Sequence, residues 1–248
     1  MEKYISFIQN ELLFSLVYVL NRVLLQQKKT IRLSLGFLLC FLAITVASFA
    51  HTINYALEKA PADHVVWFYL QLGYKHILPE GFDHILFVVG LCLLSSKIRV
   101  ILWQATAFTV AHSFTLALSM KNIIVAPSAV VEPIIALSIL FVAVENLLLT
   151  ELRPWRILLV FMFGLIHGLG FASSLNEIGL PRNKFLISIL SFNLGVELGQ
   201  ISIILAVFLL IVRPFAKAGN FRKQIVYPLS IAIALIAFYW TIQRVFFV

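Results

Sequence analysis

Charged residues are scarce in this chain of 248 amino acids. Asp, Glu, Lys and Arg make up 12% of it, while 61% of the residues are hydrophobic. A soluble domain carries about twice that share of charge and could not bury so much apolar surface. The composition therefore excludes a soluble fold and predicts an all-α polytopic membrane protein with the lipid bilayer as its surroundings.

Cysteines and nucleotide-binding motifs are also nearly absent. The only two cysteines, Cys40 and Cys92, lie inside apolar runs, which excludes a disulfide framework and a thiolate metal site. No P-loop occurs, so ATP-driven pumping by this chain is not expected. The net charge of +8 is carried by short loops beside apolar segments, so we expect no nucleic-acid partner.

Seven apolar segments are present, each near the roughly 20 residues that cross a bilayer. The last six predict a bundle of six core transmembrane helices over residues 79–248, preceded by a short external segment at 51–78. The seven segments are 33–50, 79–96, 100–120, 129–149, 157–174, 185–212 and 225–243.

The first 50 residues have two parts. Residues 1–27 place apolar side chains at helical spacing between polar ones, which indicates an amphipathic interfacial helix or else an extension without a function. Residues 28–50 combine a basic start, an apolar run and small residues, which is typical of a signal peptide cleaved between Ala50 and His51. The alternative is a retained first transmembrane helix.

Lysine and arginine predict the orientation, because they concentrate in cytoplasmic loops. The more basic side of the membrane is assigned Lys28, Lys29, Arg32, Lys97, Arg99, Arg153, Arg156, Arg213, Lys217, Arg222 and Lys223. The less basic side is assigned Lys59, Lys75, Lys121, Arg182, Lys184 and Arg244. This difference predicts that residues 51–78 and the C-terminus face the periplasm.

Polar residues occur inside the predicted helices at similar depth. With a rise of 1.5 Å per residue, five helices bring them to the outer half of the membrane. They are Asp83, His84, His112, Glu132, His167, Asn193 and Glu197, with Gln200 close to the last two on the same helix. An ionised group in the bilayer costs about a few kcal/mol and normally pairs with another group or an ion. One shared polar site explains the whole set.

Several of these residues also have a purely structural interpretation. A lone histidine in a membrane helix is often a packing residue. Glu132, before Pro133, would complement a helix N-terminus, and Pro79 at the first position of a helix would orient Asp83 and His84. The pairs Gly164/Gly168 and Gly195/Gly199 either let His167 face Glu197 or serve generic helix packing.

Histidine nitrogen with carboxylate oxygen suits divalent zinc, nickel, cobalt or iron. We expect His84, His112 and His167 to bind such an ion, with carboxylate help from Asp83 or Glu197. Glu132 and His76 are further candidate ligands. A transporter and a metallohydrolase both use this donor set.

Five motifs carry a resemblance to a known family. The stretches "HILPEGFDHILFVVGL", "QATAFTVAHSFTLAL", "VEPIIALSILFVAVEN", "FGLIHGLGFAS" and "SFNLGVELGQ" resemble the HupE/UreJ family of bacterial inner-membrane proteins. The resemblance implies a nickel or cobalt permease. It also implies that His76, Asp83 and His84 match a His…Asp-His motif and that His167 matches a later His-Gly motif. His51 is followed by Thr52, and "PEG" widens the first motif, which is similar to a divergent second branch.

The sequence therefore favours a permease for a divalent transition metal with an outward-facing site. A membrane-embedded metal-dependent hydrolase and a metal-sensing or accessory subunit are the alternatives. We expect the transport path to continue inward through Asn193, Gln200, Ser138 and Glu145. A homo-oligomer is compatible with the sequence.

Overall fold

The structure is a computed structural model that describes residues 55–95, 97–215 and 220–247. Within these ranges the regular elements are helices and no strand occurs. The expected interfacial helix at 1–27, the expected signal peptide at 28–50 and its cleavage site lie outside the described residues.

The helices follow one another with short connections. They are α1 (Tyr55–Lys59), α2 (Ala62–Ile77), α3 (Phe82–Leu93), α4 (Ile98–Met120), α5 (Ser128–Leu148), α6 (Arg156–Ile178), α7 (Phe185–Val207), α8 (Arg213–Phe215) and α9 (Tyr227–Phe246). A 3₁₀ turn (Arg182–Lys184) precedes α7, and π-helical turns (Phe208–Val212 and Arg222–Val226) join α7 to α8 and lead into α9.

Among the described residues, five helical stretches are long and apolar enough to cross a membrane, and α2 with α3 can form a sixth span. The outward faces are apolar as well: Leu158 is 62% exposed, Leu210 72% and Leu235 65%. In water such faces would be unfavourable, whereas lipid tails solvate them. The chain is thus an all-α, multi-pass membrane protein, as the composition predicts.

Residues 51–96, predicted as an external segment at 51–78 and a helix at 79–96, contain the two helices α2 and α3. α3 has 12 residues, which is about 18 Å and too short to cross the bilayer alone. α2 can supply the other half of this first span and is bent by 68° against α3. Its apolar stretch "VVWFYLQLG" is flanked by Asp63, His64 and Lys75, and these charges mask the membrane signal.

Both prolines that were expected at helix starts lie elsewhere. Pro79 is in the turn between α2 and α3, and α3 begins only at Phe82. Pro133 is inside α5, which begins at Ser128 and places Glu132 in its second turn. Pro79 is therefore not the first residue of a helix, and Glu132 is not in a first helical turn as expected.

Three helix pairs pack most extensively: α2 with α7, α4 with α6, and α5 with α9. The half-span α3 lies among them and contacts members of each pair. Glycines permit two of these contacts. A Cβ on Gly73 would meet the Phe192 carbonyl of α7, and a Cβ on Gly168 would meet the His112 carbonyl of α4. The glycines thus join α2 to α7 and α4 to α6, instead of turning His167 toward Glu197.

Candidate metal centre

Four histidines meet at the break in the first span. His76 is in the last turn of α2 and His84 in the first turn of α3, with ring centroids 4.8 Å apart. His112 of α4 and His167 of α6 lie beside them, at 5.9 and 5.1 Å from the His84 ring. We call these four residues the histidine cluster. His76 belongs to it, although it falls in the segment predicted to be external, because α2 packs against α7 in the bundle.

The cluster presents unused nitrogen atoms. The Nε2 atoms of His76, His84, His112 and His167 are all buried and have no hydrogen-bond partner in the structure. A buried polar atom without a partner is costly, and such atoms in a native protein call for an explanation. Four unpartnered imidazole nitrogens in one place indicate a ligand that accepts nitrogen lone pairs.

Hydrogen bonds orient two of the rings for that purpose. His167 Nδ1 lies 2.9 Å from the Phe163 carbonyl, so it carries the proton and leaves Nε2 with a free lone pair. His112 Nδ1 lies 3.2 Å from Asn193 Oδ1. The amide of Asn193 is held by its Nδ2, which donates to the Ile189 carbonyl at 2.8 Å. Partners of this kind fix the tautomer of metal-binding histidines.

Three of the histidines are close enough to share an ion. One nitrogen each from His76, His84 and His112 lies within 4.8 Å of the others. Nitrogens bound to a tetrahedral ion at about 2.05 Å are about 3.4 Å apart, so small ring rotations would complete the site. His167, which the sequence predicted as a ligand with His76 as a further candidate, adjoins this trio through His84.

A cavity of about 460 Å³ opens onto the cluster. Its walls include His76, His84 and His167, the acidic residues Glu80, Asp83 and Glu132, the aromatic residues Phe171 and Trp240, and Arg244. The cavity therefore joins imidazoles to carboxylates, which is the donor combination expected from the sequence.

The Asp83 carboxylate is already paired. Arg244 Nη2 lies 3.1 Å from Oδ1 and 3.0 Å from Oδ2 of Asp83, and its Nη1 donates to the Glu132 carbonyl at 3.2 Å. The guanidinium also lies over the Trp240 ring, 5.4 Å from the centroid. Arg244 thus connects α9 with α3 and α5 at the cavity wall.

A row of polar contacts leads from the cluster between α4 and α7. After the His112–Asn193 contact, Thr109 donates to Gln200 at 3.2 Å and Thr106 donates to Glu197 at 2.7 Å. Asn193, Glu197 and Gln200 therefore each contact a polar residue of α4, and Glu197 lies in this row rather than among the histidines. We call these contacts the polar row.

The other two predicted path residues are engaged elsewhere. The Ser138 hydroxyl donates to the Ile135 carbonyl of its own helix at 2.7 Å. Glu145 lies 3.4 Å from Arg156 in an ion pair whose side chains are 3% and 2% exposed. Arg156, which the topology argument counted as a loop charge, is therefore buried in the bundle.

Sequence reasoning missed three residues that contact the predicted site residues, namely Arg244, Thr106 and Thr109. Arg244 was assigned to a loop, although an arginine within the apolar run at the end of α9 is itself a signal of an internal partner. Thr106 and Thr109 share a helix face with His112 at a spacing of three residues, and that spacing could have identified the polar row.

A family model described as HupE / UreJ protein matches residues 51–244, which is more than half of the chain. No curated protein and no solved structure matches this chain.

Proposed function

Because the chain belongs to the HupE / UreJ family, we propose that it is a bacterial inner-membrane permease for a divalent transition-metal cation, with nickel or cobalt as the substrate. The family is associated with nickel and cobalt transport. The observation that carries the proposal is the set of four unpartnered, buried Nε2 atoms at the break in the first span. Imidazole nitrogens suit both ions, and zinc by the same chemistry.

The break supports transport more than simple storage of an ion. Transporters commonly bind substrate where a membrane helix is discontinuous, near the middle of the bundle. Here His76 lies in the last turn of α2 and His84 in the first turn of α3, so the two halves of one span both contribute donors. A ligand that joins both halves can couple binding to their relative position.

The polar row supplies the inward continuation. A cation that leaves the cluster needs partners that replace its hydration, and the contacts of Thr109 with Gln200 and of Thr106 with Glu197 provide oxygen atoms between α4 and α7. The orientation with the cavity and the C-terminus toward the periplasm, as the basic residues predict, makes this row lead toward the cytoplasm.

Hydrolysis is the less supported alternative. A hydrolase could use Ser113, next to His112, as its nucleophile, but the Ser113 hydroxyl donates to the Thr109 carbonyl of its own helix at 2.6 Å. A nucleophilic serine would instead contact a base within hydrogen-bond reach.

Uptake by purified protein in lipid vesicles tests the proposal. We expect uptake of radioactive nickel or cobalt by the wild type and its loss in the triple variant His76→Ala, His84→Ala and His112→Ala. His64→Ala is the matched control, because His64 is exposed and outside the cluster. If vesicles move no divalent cation under any gradient, yet the protein hydrolyses a lipid or peptide in a metal-dependent way, the permease proposal is wrong.

A further inference from the structure

Arg244 places a positive charge in the cavity through which the proposed permease admits cations. Its side chain is 18% exposed and that of Asp83 is 23% exposed, so the pair is only partly screened by solvent. Both carboxylate oxygens of Asp83 are held by one guanidinium nitrogen. While they are held, Asp83 is not available as a metal ligand.

Asp83 is nevertheless a carboxylate that adjoins the histidine cluster. It is adjacent to His84 in the chain and lines the same cavity as His76, His84 and His167. The trio of His76, His84 and His112 supplies three neutral donors. A divalent ion bound by three neutral donors keeps its full charge and favours an anionic fourth ligand.

From this geometry we propose that Arg244 is a specificity-determining residue that competes with the transported ion for Asp83. In the ion-free protein Arg244 neutralises Asp83, and an entering divalent cation takes Asp83 from it as a fourth ligand. The inference deepens the proposed permease function and rests on it.

The other contacts of Arg244 let this exchange happen without moving α9. When Asp83 turns to the ion, Arg244 keeps its bond to the Glu132 carbonyl and its position over Trp240. It remains close enough to take Asp83 back. Hydrogen bonds between ionised groups are stronger than neutral ones, so the competition of the guanidinium for Asp83 weakens ion binding and favours release. A monovalent cation gains less from one carboxylate and competes poorly with the guanidinium.

Nickel binding to the purified full-length protein tests the inference by equilibrium dialysis of radioactive Ni²⁺. Arg244→Gln should lower the dissociation constant at least tenfold, because Asp83 no longer has a competing partner. The factor by which Asp83→Asn raises the dissociation constant should then be at least tenfold larger in the Arg244→Gln background than in the wild type. Arg222→Gln is the matched control, because Arg222 lies at the other end of the same helical segment and also binds a backbone carbonyl, that of Asn146; its affinity should equal that of the wild type.

Arg244→Lys covers the case in which Arg244→Gln fails to fold. A lysine keeps the charge but cannot bridge Asp83 and the Glu132 carbonyl with a planar fork, so the affinity should rise above that of the wild type. Equal effects of Asp83→Asn in both backgrounds, or weaker binding in both Arg244 variants, would overturn the role of Arg244 alone. A wild-type protein that binds no nickel, cobalt or zinc would overturn the permease proposal and this inference together.

Discussion

At the scale of single residues, Asn193 and Ser138 separate two kinds of polar group inside the membrane. Asn193 contacts His112 Nδ1, whereas the Ser138 hydroxyl is used by its own helix. We expect Asn193→Ala to weaken nickel binding by roughly 10- to 100-fold, the usual cost of losing a group that orients a metal-binding histidine. Equilibrium dialysis measures this.

Ser138→Ala provides the control for that experiment. It removes a buried hydroxyl whose bond to the Ile135 carbonyl serves only α5, so nickel affinity should stay within about twofold of the wild type. Equal losses of affinity in both variants would show that Asn193 acts through general packing and does not orient His112.

Glu145 is a residue whose substitution should affect both stability and uptake. Removing one partner of a buried ion pair costs about 3–5 kcal/mol, because the remaining charge is left without compensation. Glu145→Gln should therefore lower the melting temperature of the purified protein. Nickel should still bind, since Glu145 is 13 residues from Glu132 along α5, which is about 20 Å from the cavity. Uptake into vesicles should be slower.

The double variant Glu145→Leu with Arg156→Met separates these two effects. It replaces both charges with apolar groups and should restore most of the melting temperature. Uptake that recovers together with stability would mean that Glu145 has no role in the path. Uptake that stays slow at restored stability would support one.

At the scale of helices, the contact of α4 with α6 depends on one glycine more than on its neighbour. A Cβ on Gly168 would meet the His112 carbonyl and Thr115 Oγ1, whereas a Cβ on Gly170 would meet the side-chain ends of Ile135 and Val131. The ends of side chains can move, whereas the backbone carbonyl of His112 cannot move without displacing this residue of the histidine cluster.

Gly168→Ala should therefore destabilise the protein by about 1–3 kcal/mol and weaken nickel binding. Gly170→Ala, two residues along the same helix, should have a much smaller effect on both. Thermal unfolding in detergent and equilibrium dialysis measure the two quantities. A larger loss in the Gly170 variant would contradict the assigned contact.

The helices also show how much of the fold could be predicted from the sequence. Apolar runs predicted the helices α4, α5, α6, α7 and α9. The predicted ends lie within a few residues of the observed ends in most cases. α2 was missed because charges near both of its ends lower its apolarity, and only its contacts with α7 place it inside the bundle. Because α2 was missed, His76 was assigned to the external segment. The ion pairs of Asp83 and Glu145 were also missed. Arg244 is 161 residues from Asp83, and both Arg244 and Arg156 were counted as loop charges.

At the scale of the whole molecule, the orientation predicts which loops accept an impermeant reagent. In a cysteine-free background, Ile123→Cys should be labelled by an impermeant maleimide in intact cells, and Pro154→Cys should be labelled only after the cells are opened. Ile123 is 54% exposed and Pro154 is also exposed, so both sites are accessible on their own side of the membrane. Labelling of Pro154→Cys in intact cells would reverse the topology.

The three helix pairs have a mechanical consequence. His76 belongs to the α2–α7 pair, His112 and His167 to the α4–α6 pair, and His84 to the half-span α3 between them. Contacts at glycines hold the helices of the first two pairs close together, and the contacts between pairs are less extensive. A small shift of one pair against another would separate histidines that now converge, while every helix stays intact. Release of the proposed ion would therefore require a change in the relative position of the pairs and no unfolding.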